Sequence, residues 1–397
     1  MARATRVVLA LPPAMGGDRR ARLVQPATIL WQQDGRTHVE RPGGHRRADD
    51  LLTALGEELE RAGRGARAVG FMGYEFAATM DPLIAVPPGS SPLPEAWWAV
   101  LTPAAMGSAA TAAGGSWRAD PGSSHLSLDD EAFRRGVETI RLGIGAGDVY
   151  QVNLTRRFSL PFQGDPLALF TALGQHQWPR FATYLADREQ GWAVLCLSPE
   201  LLLARRGSEV ETRPIKGTLP LPVDQRRRAQ ARARLRSSGK DAAELAMIVD
   251  LERNDLNRVC TPRSVRVLTP RRTFTTLGVM HQYAVVAGQL CPGASWQSLL
   301  GALLPGGSVT GAPKLAACRF IARLEPVPRA VYCGAIGVMK PDRGVLALPI
   351  RTGYAANGML HFHAGCGVVW DSQPAAEEAE SRAKVARWLE VLGGEPP

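Results

Sequence analysis

The clearest structural signal in this chain is AGCGVVWDSQPAAEEAESRAK, residues 364–384. It continues an apolar strand predicted over 360–369 and leads into a helix predicted over 375–392. Glu377, Glu380 and Lys384 are spaced i, i+3 and i+7, so the helix presents all three side chains on one face. A separate apolar stripe, predicted to face the core, is formed by Ala379, Ala383, Ala386 and Leu389. The segment therefore predicts a strand–helix unit whose helix carries a charged face.

A second helix is predicted over 241–256, where Glu244 stands beside apolar residues. Carboxylates that converge from separate helices would suit a hard divalent cation such as Mg²⁺, which keeps several waters and leaves room for an anionic substrate. The alternative is that each glutamate is an ordinary solvated charge paired with a nearby lysine or arginine.

A lysine lies between proline and glycine in TRPIKGTLP, residues 212–220. A lysine amine has an ordinary pKa of about 10.4, and desolvation or a nearby cation, here Arg213, would favour its neutral, nucleophilic form. Two strands joined by a turn could bring Glu200 near Lys216. The alternative interpretation is a surface turn with one more lysine on a basic protein.

Composition and charge narrow the class of protein. The 397 residues are 45% hydrophobic and 21% charged, which is typical of a globular chain. No apolar run approaches the roughly 20 residues that a membrane span needs. The formal charge of +10 suggests nucleic acid, but six arginines fall within 226–236 with few aromatic residues between them, so a solvated helix or loop is predicted there. Six scattered cysteines without a Cys-x-x-Cys pair fit a reducing cytoplasm.

Strand-like runs alternate with helical patterns beyond residue 125, whereas the first 125 residues are rich in glycine, proline and alanine. This mixture predicts an α/β domain with extensive sheet and helices on its faces, and it leaves mostly antiparallel connections open. The glycine-rich loop 306–311 is a candidate anion site at the start of a helix. His361 and His363 share a strand face and are interpreted as surface or core residues rather than metal ligands.

Together these segments resemble the chorismate-utilising enzymes. The resemblance covers about two-thirds of the chain and rests on GDVYQVNLTRRF (147–158), SPE (198–200), TRPIKGTLP (212–220), DAAELAMIVDLERNDLNRV (241–259), PGGSVTGAPK (305–314), YCGAIG (332–337), IRT (350–352) and the 364–384 segment. It implies a four-layered α/β/β/α fold with large mixed, mainly antiparallel sheets and the active site between them. Residues 1–125 would form a weakly matching N-terminal part of that fold, and residues 126–397 the chorismate-binding catalytic region.

The resemblance also implies roles for individual residues. Glu200 would be the general acid and base, Lys216 the nucleophile, and His281 a residue close to the reacting ring. The Mg²⁺ ligands would be Glu244, Glu377 and Glu380. The substrate-binding residues would be Arg351, Gly365, Gly367, Lys384, Thr218 and Gln151.

The activity that the resemblance implies is amination of chorismate at C4 by ammonia, for 4-aminobenzoate and folate synthesis. The alternative within the family is amination at C2, which gives anthranilate. Water-using relatives carry lysine where this chain has Gln151, which argues against water as the nucleophile. Anthranilate-forming relatives typically carry alanine where it has Lys216, which favours amination at C4 over C2.

Two further expectations concern partners. No segment resembles a glutamine amidotransferase, so a separate subunit is expected to supply the ammonia to a cytoplasmic enzyme. A basic nucleic-acid-binding protein on the same scaffold is the alternative of a different class, and clustered glutamates oppose it because they repel phosphates. We therefore expect neither nucleic acid nor a membrane as a partner.

Overall fold

The computed structural model describes residues 6–393 except 108, 113, 176, 223 and 277, and leaves the side chains of 218, 220 and 240 undescribed. Twenty-three strands in these residues form two large antiparallel sheets. The strands up to residue 126 are β1 (Val7–Ala10), β2 (Arg22–Val24), β3 (Thr28–Gln33), β4 (Arg36–Arg41), β5 (Gly44–Ala48), β6 (Arg67–Met72), β7 (Ala96–Leu101), β8 (Ala110–Thr111), β9 (Trp117–Ala119) and β10 (His125–Leu126). The later strands are β11 (Gln151–Gly164), β12 (Thr183–Asp187), β13 (Trp192–Cys196), β14 (Leu201–Arg206), β15 (Glu209–Arg213), β16 (Ile215–Pro220), β17 (Arg266–Thr276), β18 (Val279–Gln289), β19 (Gly311–Ala312), β20 (Ala335–Met339), β21 (Arg343–Ala347), β22 (Thr352–Ala356) and β23 (Met359–Val368).

Eleven α-helices accompany the sheets in the described residues. They are α1 (Leu51–Ala62), α2 (Ala77–Met80), α3 (Pro103–Gly107), α4 (Asp130–Gly145), α5 (Pro166–Gly174), α6 (Gln225–Ser237), α7 (Gly239–Asn257), α8 (Trp296–Leu303), α9 (Lys314–Leu324), α10 (Pro374–Ala383) and α11 (Ala386–Val391). Side chains cap several N-termini, as where Asp129 accepts the N–H of Ala132 before α4 and Ser238 accepts that of Asp241 in α7. The arginine-rich segment is helix α6, in which Leu235 is buried and the arginines are exposed, as predicted.

The first sheet runs β10-β11-β23-β22-β13-β12-β1-β2-β8, with β9 and β19 also paired to β11. The second runs β16-β18-β15-β14-β21-β20-β6-β7-β3-β4-β5, with β17 also paired to β18. Strands from the first 126 residues stand in both sheets, and β6 lies between β7 and β20. Strands from both sides of residue 125 share each sheet. The predicted boundary between residues 1–125 and 126–397 therefore stays a prediction about how well each part resembles the family.

Three apolar clusters make the layers. One lies between the sheets, where Trp97 packs edge-on against Trp192 with ring centroids 5.1 Å apart. A second lies outside the first sheet under α5 and α11, and a third outside the second sheet under helices that include α1, α7 and α8. The predicted four-layered α/β/β/α arrangement is confirmed.

One expectation for the C-terminal helix is wrong. The segment forms two helices, α10 and α11, because α10 ends at Ala383 and the chain turns before Ala386. Ala379 and Ala383 are exposed, Leu389 is partly buried against the core, and the fully buried contacts come from Val385, Trp388 and Leu392. The 3.6-residue period does not continue through a turn, so a stripe drawn across both helices does not exist.

Candidate active site

A cavity of about 460 Å³ lies where β16 and β18 of the second sheet meet β11 and β23 of the first, with α7 and α10 beside it. This volume suits a small metabolite. A larger groove of about 760 Å³ on the outside of the first sheet contains none of the predicted site residues. Ten of those residues line the 460 Å³ cavity: Glu200, Lys216, Glu244, His281, Arg351, Gly365, Gly367, Glu377, Glu380 and Lys384.

A β-bulge aims Lys216 into the cavity. The register between β16 and β18 shifts between Lys216 and Thr218, so the intervening Gly217 has φ +68°. A Cβ on Gly217 would also stand 3.1 Å from the carboxylate of Asp241 at the start of α7. Glycine is therefore required here by both the backbone conformation and the close approach of the helix.

Burial lowers the pKa of the Lys216 amine, and the positive charge of Lys384 lowers it further, while Glu244, Glu200 and Glu380 raise it. Burial is the largest effect, so the pKa stays below its ordinary value. The expected cation was Arg213, and that detail is wrong, because Arg213 pairs with Glu211 on its own strand. The neutral amine is thus favoured by burial and by the positive charge of Lys384, which lies at the C-terminal end of α10.

Glu200 is a buried carboxyl group on the same cavity. Its Oε1 accepts hydrogen bonds from Ser308 Oγ at 2.8 Å and from the Ile215 N–H at 3.3 Å. Burial raises its pKa to about 7, against the opposing effect of these hydrogen bonds and of Lys216. A carboxyl group that is half protonated near neutral pH can both give and take a proton, as acid–base catalysis requires.

Arg351 and Lys384 form the cationic side of the cavity. Arg351 has the left-handed φ of +52°, a conformation that a non-glycine residue holds at a cost on the order of 1 kcal/mol or more. Its Nη1 donates to the Lys384 carbonyl at 3.1 Å, and Lys384 Nζ donates to the Gly365 carbonyl at 2.8 Å. These bonds tie the loop before β22, the end of α10 and β23 into one surface that can bind carboxylates.

His281 lies on β18 and is buried, with its ring tilted against Phe274 at a centroid distance of 5.4 Å. Burial lowers its pKa to about 3, assisted by the positive charges of Arg351 and Lys384. The imidazole is therefore neutral at physiological pH, and it can act there as a hydrogen-bonding group rather than as a cation.

The three predicted metal ligands come from two helices and face the same cavity. Glu377 is buried and accepts a hydrogen bond from Ser372 Oγ at 2.7 Å, whereas Glu380 is largely exposed and pairs with Lys384 at 2.7 Å. Among the described residues, no group of three or more His, Cys, Asp or Glu side chains is arranged to hold a metal ion. Mg²⁺ often takes one or two protein carboxylates and completes its shell with water and substrate. Hard oxygen ligands are thus present, without a preassembled protein cage.

Gln151 lies behind the lining of the cavity. A Cβ added to Gly367 would stand 3.0 Å from Gln151 Nε2 and 3.3 Å from Lys216 Nζ, so all three groups approach one point. Neither amide atom of this buried side chain has a hydrogen-bond partner within the described residues. Leaving a buried amide unpaired costs about 1–3 kcal/mol, which a bound ligand would recover. The side chain of Thr218, also predicted to bind substrate, lies outside the described part of the structure.

The cavity is also lined by Asn153 and Tyr332, which the sequence did not single out, by Ser308 of the glycine-rich loop, and by His363, which was interpreted as a surface or core residue. His363 stacks on Tyr332 with ring centroids 5.2 Å apart. The sequence could have placed His363 at the site, because alternate residues of a strand face the same side and His363 therefore shares a face with Gly365 and Gly367. Ser308 belongs to the glycine-rich loop, whose residues 306–311 are buried and whose role includes the hydrogen bond to Glu200.

A buried arginine fixes part of this wall. Arg329 donates to the Val309 carbonyl at 2.8 Å and to the Asn153 carbonyl at 2.7 Å, and both of those residues line the cavity. Its charge is balanced by buried Glu325, at 2.6 Å. Glu75, from the N-terminal third, accepts the Arg329 N–H at 2.7 Å. The weakly matching part of the chain therefore helps to hold the cavity in shape.

Residues 14–390 match the family described as chorismate binding enzyme, and the chain belongs to that family. It is 39% identical over 278 residues to aminodeoxychorismate synthase component 1 of Klebsiella aerogenes, covering 70% of this chain and 60% of the relative. It is 41% identical over 263 residues to the protein of that name from Escherichia coli, covering 66% and 57%. Anthranilate synthase component 1 of Streptomyces coelicolor is 38% identical over 67% of this chain and 52% of its own.

The chain thus matches between 52% and 60% of the length of these relatives. Among solved structures, anthranilate synthase component I from Streptococcus pneumoniae superposes with a TM-score of 0.79 at 24% identity, covering 98% of this chain and 92% of that one. The menaquinone-specific isochorismate synthase of E. coli gives 0.72 at 19% identity, covering 98% and 95%. These two establish the fold.

No described helix has both the length and the apolar character that crossing a bilayer requires.

Proposed function

We propose that this chain is the chorismate-aminating component of an aminodeoxychorismate synthase, which converts chorismate and ammonia to 4-amino-4-deoxychorismate and water. The observation that carries the proposal is Lys216, an amine of lowered pKa aimed by a bulge into the cavity that Glu200 also lines. Anthranilate-forming relatives typically have alanine at this position. The names of the two enterobacterial relatives described above agree with amination at C4.

Binding would use the cationic side of the cavity. Arg351 and Lys384 would take the two carboxylates of chorismate, with the backbone at Gly365 and Gly367 close to the ring. Neutral His281 would contact the ring without adding a charge. Burial strengthens each of these interactions, because the effective dielectric inside the cavity is lower than in water.

The reaction would proceed in two displacements. The neutral Lys216 amine attacks ring C2, the ring double bond shifts, and the C4–O bond breaks as Glu200 gives its proton to the departing hydroxyl, which leaves as water. Ammonia then forms the C4–N bond, the C2–N bond breaks, and the electron pair returns to the Lys216 amine. The Glu200 carboxylate takes the proton from the new ammonium group and is restored.

Mg²⁺ is part of the proposal, with Glu244, Glu377 and Glu380 as the residues that would hold it. When bound it would neutralise the ring carboxylate and act as a Lewis acid towards it. Three carboxylates facing the cavity would repel an anionic substrate unless a cation lay between them, which supports the proposed Mg²⁺ site.

Ammonia rather than water is the proposed nucleophile because Gln151, unlike a lysine, cannot act as a base towards water. Its unpaired buried amide lies near the Lys216 amine. We propose that a separate glutamine amidotransferase subunit supplies the ammonia, and that the enzyme works in the cytoplasm, where the free cysteines seen among the described residues would stay reduced.

The test is a product assay with chorismate, Mg²⁺ and ammonium. The expected product is 4-amino-4-deoxychorismate, which becomes 4-aminobenzoate only after a lyase is added. Anthranilate fluorescence in the absence of added lyase would instead assign the chain to anthranilate synthesis, and absence of any chorismate turnover would refute both activities.

A further inference from the structure

Three large apolar side chains are exposed around the C-terminal end of α4. Leu142 is 67% exposed, Tyr150 65% and Trp370 57%. Trp370 is held against the helix, since a Cβ on Gly145 would stand 3.0 Å from its ring and the Arg141 guanidinium lies 5.9 Å from its centroid. We call Leu142, Tyr150 and Trp370 the α4 patch. Clustered exposed apolar side chains of this size are typical of protein-binding surfaces.

A groove adjoins the patch between α4 and α9. Its volume is about 590 Å³, and its lining includes Leu142, Ala146, Ala316 and Phe320. It can therefore receive apolar side chains from another protein. Arg319 and Arg323 also line it and are exposed, beside Asp148, so its rim is more basic than acidic.

The patch is the outward continuation of two strands that form the site. Strands β11 and β23 pair with Val152 opposite Val368, so Tyr150 and Trp370 leave the sheet at the same end. Tyr150 immediately precedes Gln151, and Trp370 follows Gly367 by three residues, which is about 10 Å of extended chain. Gln151 and Gly367 are the residues that approach Lys216 Nζ. The α4 patch thus lies only about 10 Å of extended chain from the residues that approach Lys216 Nζ.

We propose that the α4 patch and its groove are the docking surface for the ammonia-supplying subunit, with the unpaired amide of Gln151 on the path from that subunit to the cavity. This rests on the function proposed above and identifies the surface that the partner uses. The partner would present apolar side chains to the groove and an acidic rim to Arg319 and Arg323, in keeping with the formal charge of +10 on this chain. Ammonia released there would need to travel only on the order of 10 Å and would not equilibrate with bulk solvent.

The experiment compares two nitrogen sources. The glutamine-hydrolysing component of an aminodeoxychorismate synthase is purified separately, and turnover is measured with glutamine plus that component and with ammonium alone. The test variant is Leu142→Glu combined with Tyr150→Glu. A second variant, Arg319→Glu combined with Arg323→Glu, removes no apolar side chain. The matched control is Leu83→Glu, since Leu83 is 65% exposed and lies outside the patch.

Both test variants should lose glutamine-dependent turnover at least tenfold, while ammonium-dependent kcat and KM stay within twofold of wild type. Calorimetric titration of the chain with the component should show a matching rise in Kd, and Leu83→Glu should change neither quantity. Unchanged glutamine-dependent turnover in both variants would overturn the docking proposal. So would an equal loss with both nitrogen sources, because the patch would then support the cavity rather than a partner. Failure of the wild-type chain to aminate chorismate with ammonium would refute the function, whereas the binding titration would still report on docking.

Discussion

Replacing Glu200 with glutamine should change how stability depends on pH. In the folded protein burial raises the pKa of this carboxyl from its ordinary value of 4.5 to about 7, because the charged form is poorly solvated. The folded state therefore binds the proton more tightly than the unfolded state. The stabilising contribution is complete below pH 4.5 and is lost as pH rises through about 7. Glutamine keeps the shape and can still accept from Ser308, but it does not ionise.

The magnitude follows from the shift of roughly 2.5 pKa units, at about 1.4 kcal/mol per unit. Ionising Glu200 thus costs the folded wild type about 3.5 kcal/mol, of which about 2.5 kcal/mol falls between pH 5 and pH 8. The Glu200→Gln variant escapes this cost. Its free energy of unfolding, compared with that of the wild type, should rise by about 2.5 kcal/mol across that interval.

The assay is urea unfolding followed by tryptophan fluorescence at pH 5, 6, 7 and 8 for both proteins. Turnover by Glu200→Gln should also fall at least a hundredfold, since the proton donor is lost. Glu252→Gln is the control, because Glu252 is equally buried and bonds to Thr212 but lies outside the cavity lining, so it should retain turnover. A stability difference that stays flat with pH would refute the raised pKa. A difference that falls with pH would show that Lys216 stabilises the carboxylate more than burial destabilises it.

Three further outcomes are expected. When wild-type protein is mixed with chorismate and Mg²⁺ without ammonia, the mass of the intact protein should increase by that of the substrate less water. Lys216→Ala should abolish that adduct. A wild-type protein that turns over with ammonia yet never gains mass would exclude the nucleophilic role of Lys216. Glu244→Gln should lose most activity while its unfolding midpoint moves little, and full activity in excess chelator would contradict the Mg²⁺ proposal. Gly367→Ala should raise KM for chorismate about tenfold, because the added Cβ would lie 3.0 Å from Gln151 Nε2 and 3.3 Å from Lys216 Nζ; an unchanged KM would place the substrate elsewhere.

The 3.6-residue period of an α-helix predicted part of the site from sequence alone. Glu377, Glu380 and Lys384 face one cavity as their spacing required, because a spacing of 3.6 residues holds within a single helix. It failed for the apolar stripe, since the chain turns after Lys384 and starts a new helix. Local periodicity predicts faces but does not reveal where a helix ends without a glycine or proline to mark the position.

Contacts between distant strands were harder to predict. Lys384, rather than the neighbouring Arg213, supplies the cation that lowers the pKa of Lys216, because a β-bulge turns the lysine towards the other sheet. His363 reaches the cavity because β23 pairs with β11, whose residues lie some two hundred positions earlier. Such pairings depend on the register of whole sheets, which no short segment specifies.

The position of β6 has a consequence for how the chain folds. Its two neighbours in the sheet are β7, which follows closely in sequence, and β20, at Ala335–Met339. On a ribosome that adds roughly 5–20 residues per second, the edge of β6 that awaits β20 remains unpaired for on the order of ten seconds or more. Such long-range pairing slows folding and exposes a strand edge to other chains. A strand of the first third of this protein therefore completes its pairing only after residues 335–339 have been made, although the predicted site residues all lie in the rest of the chain.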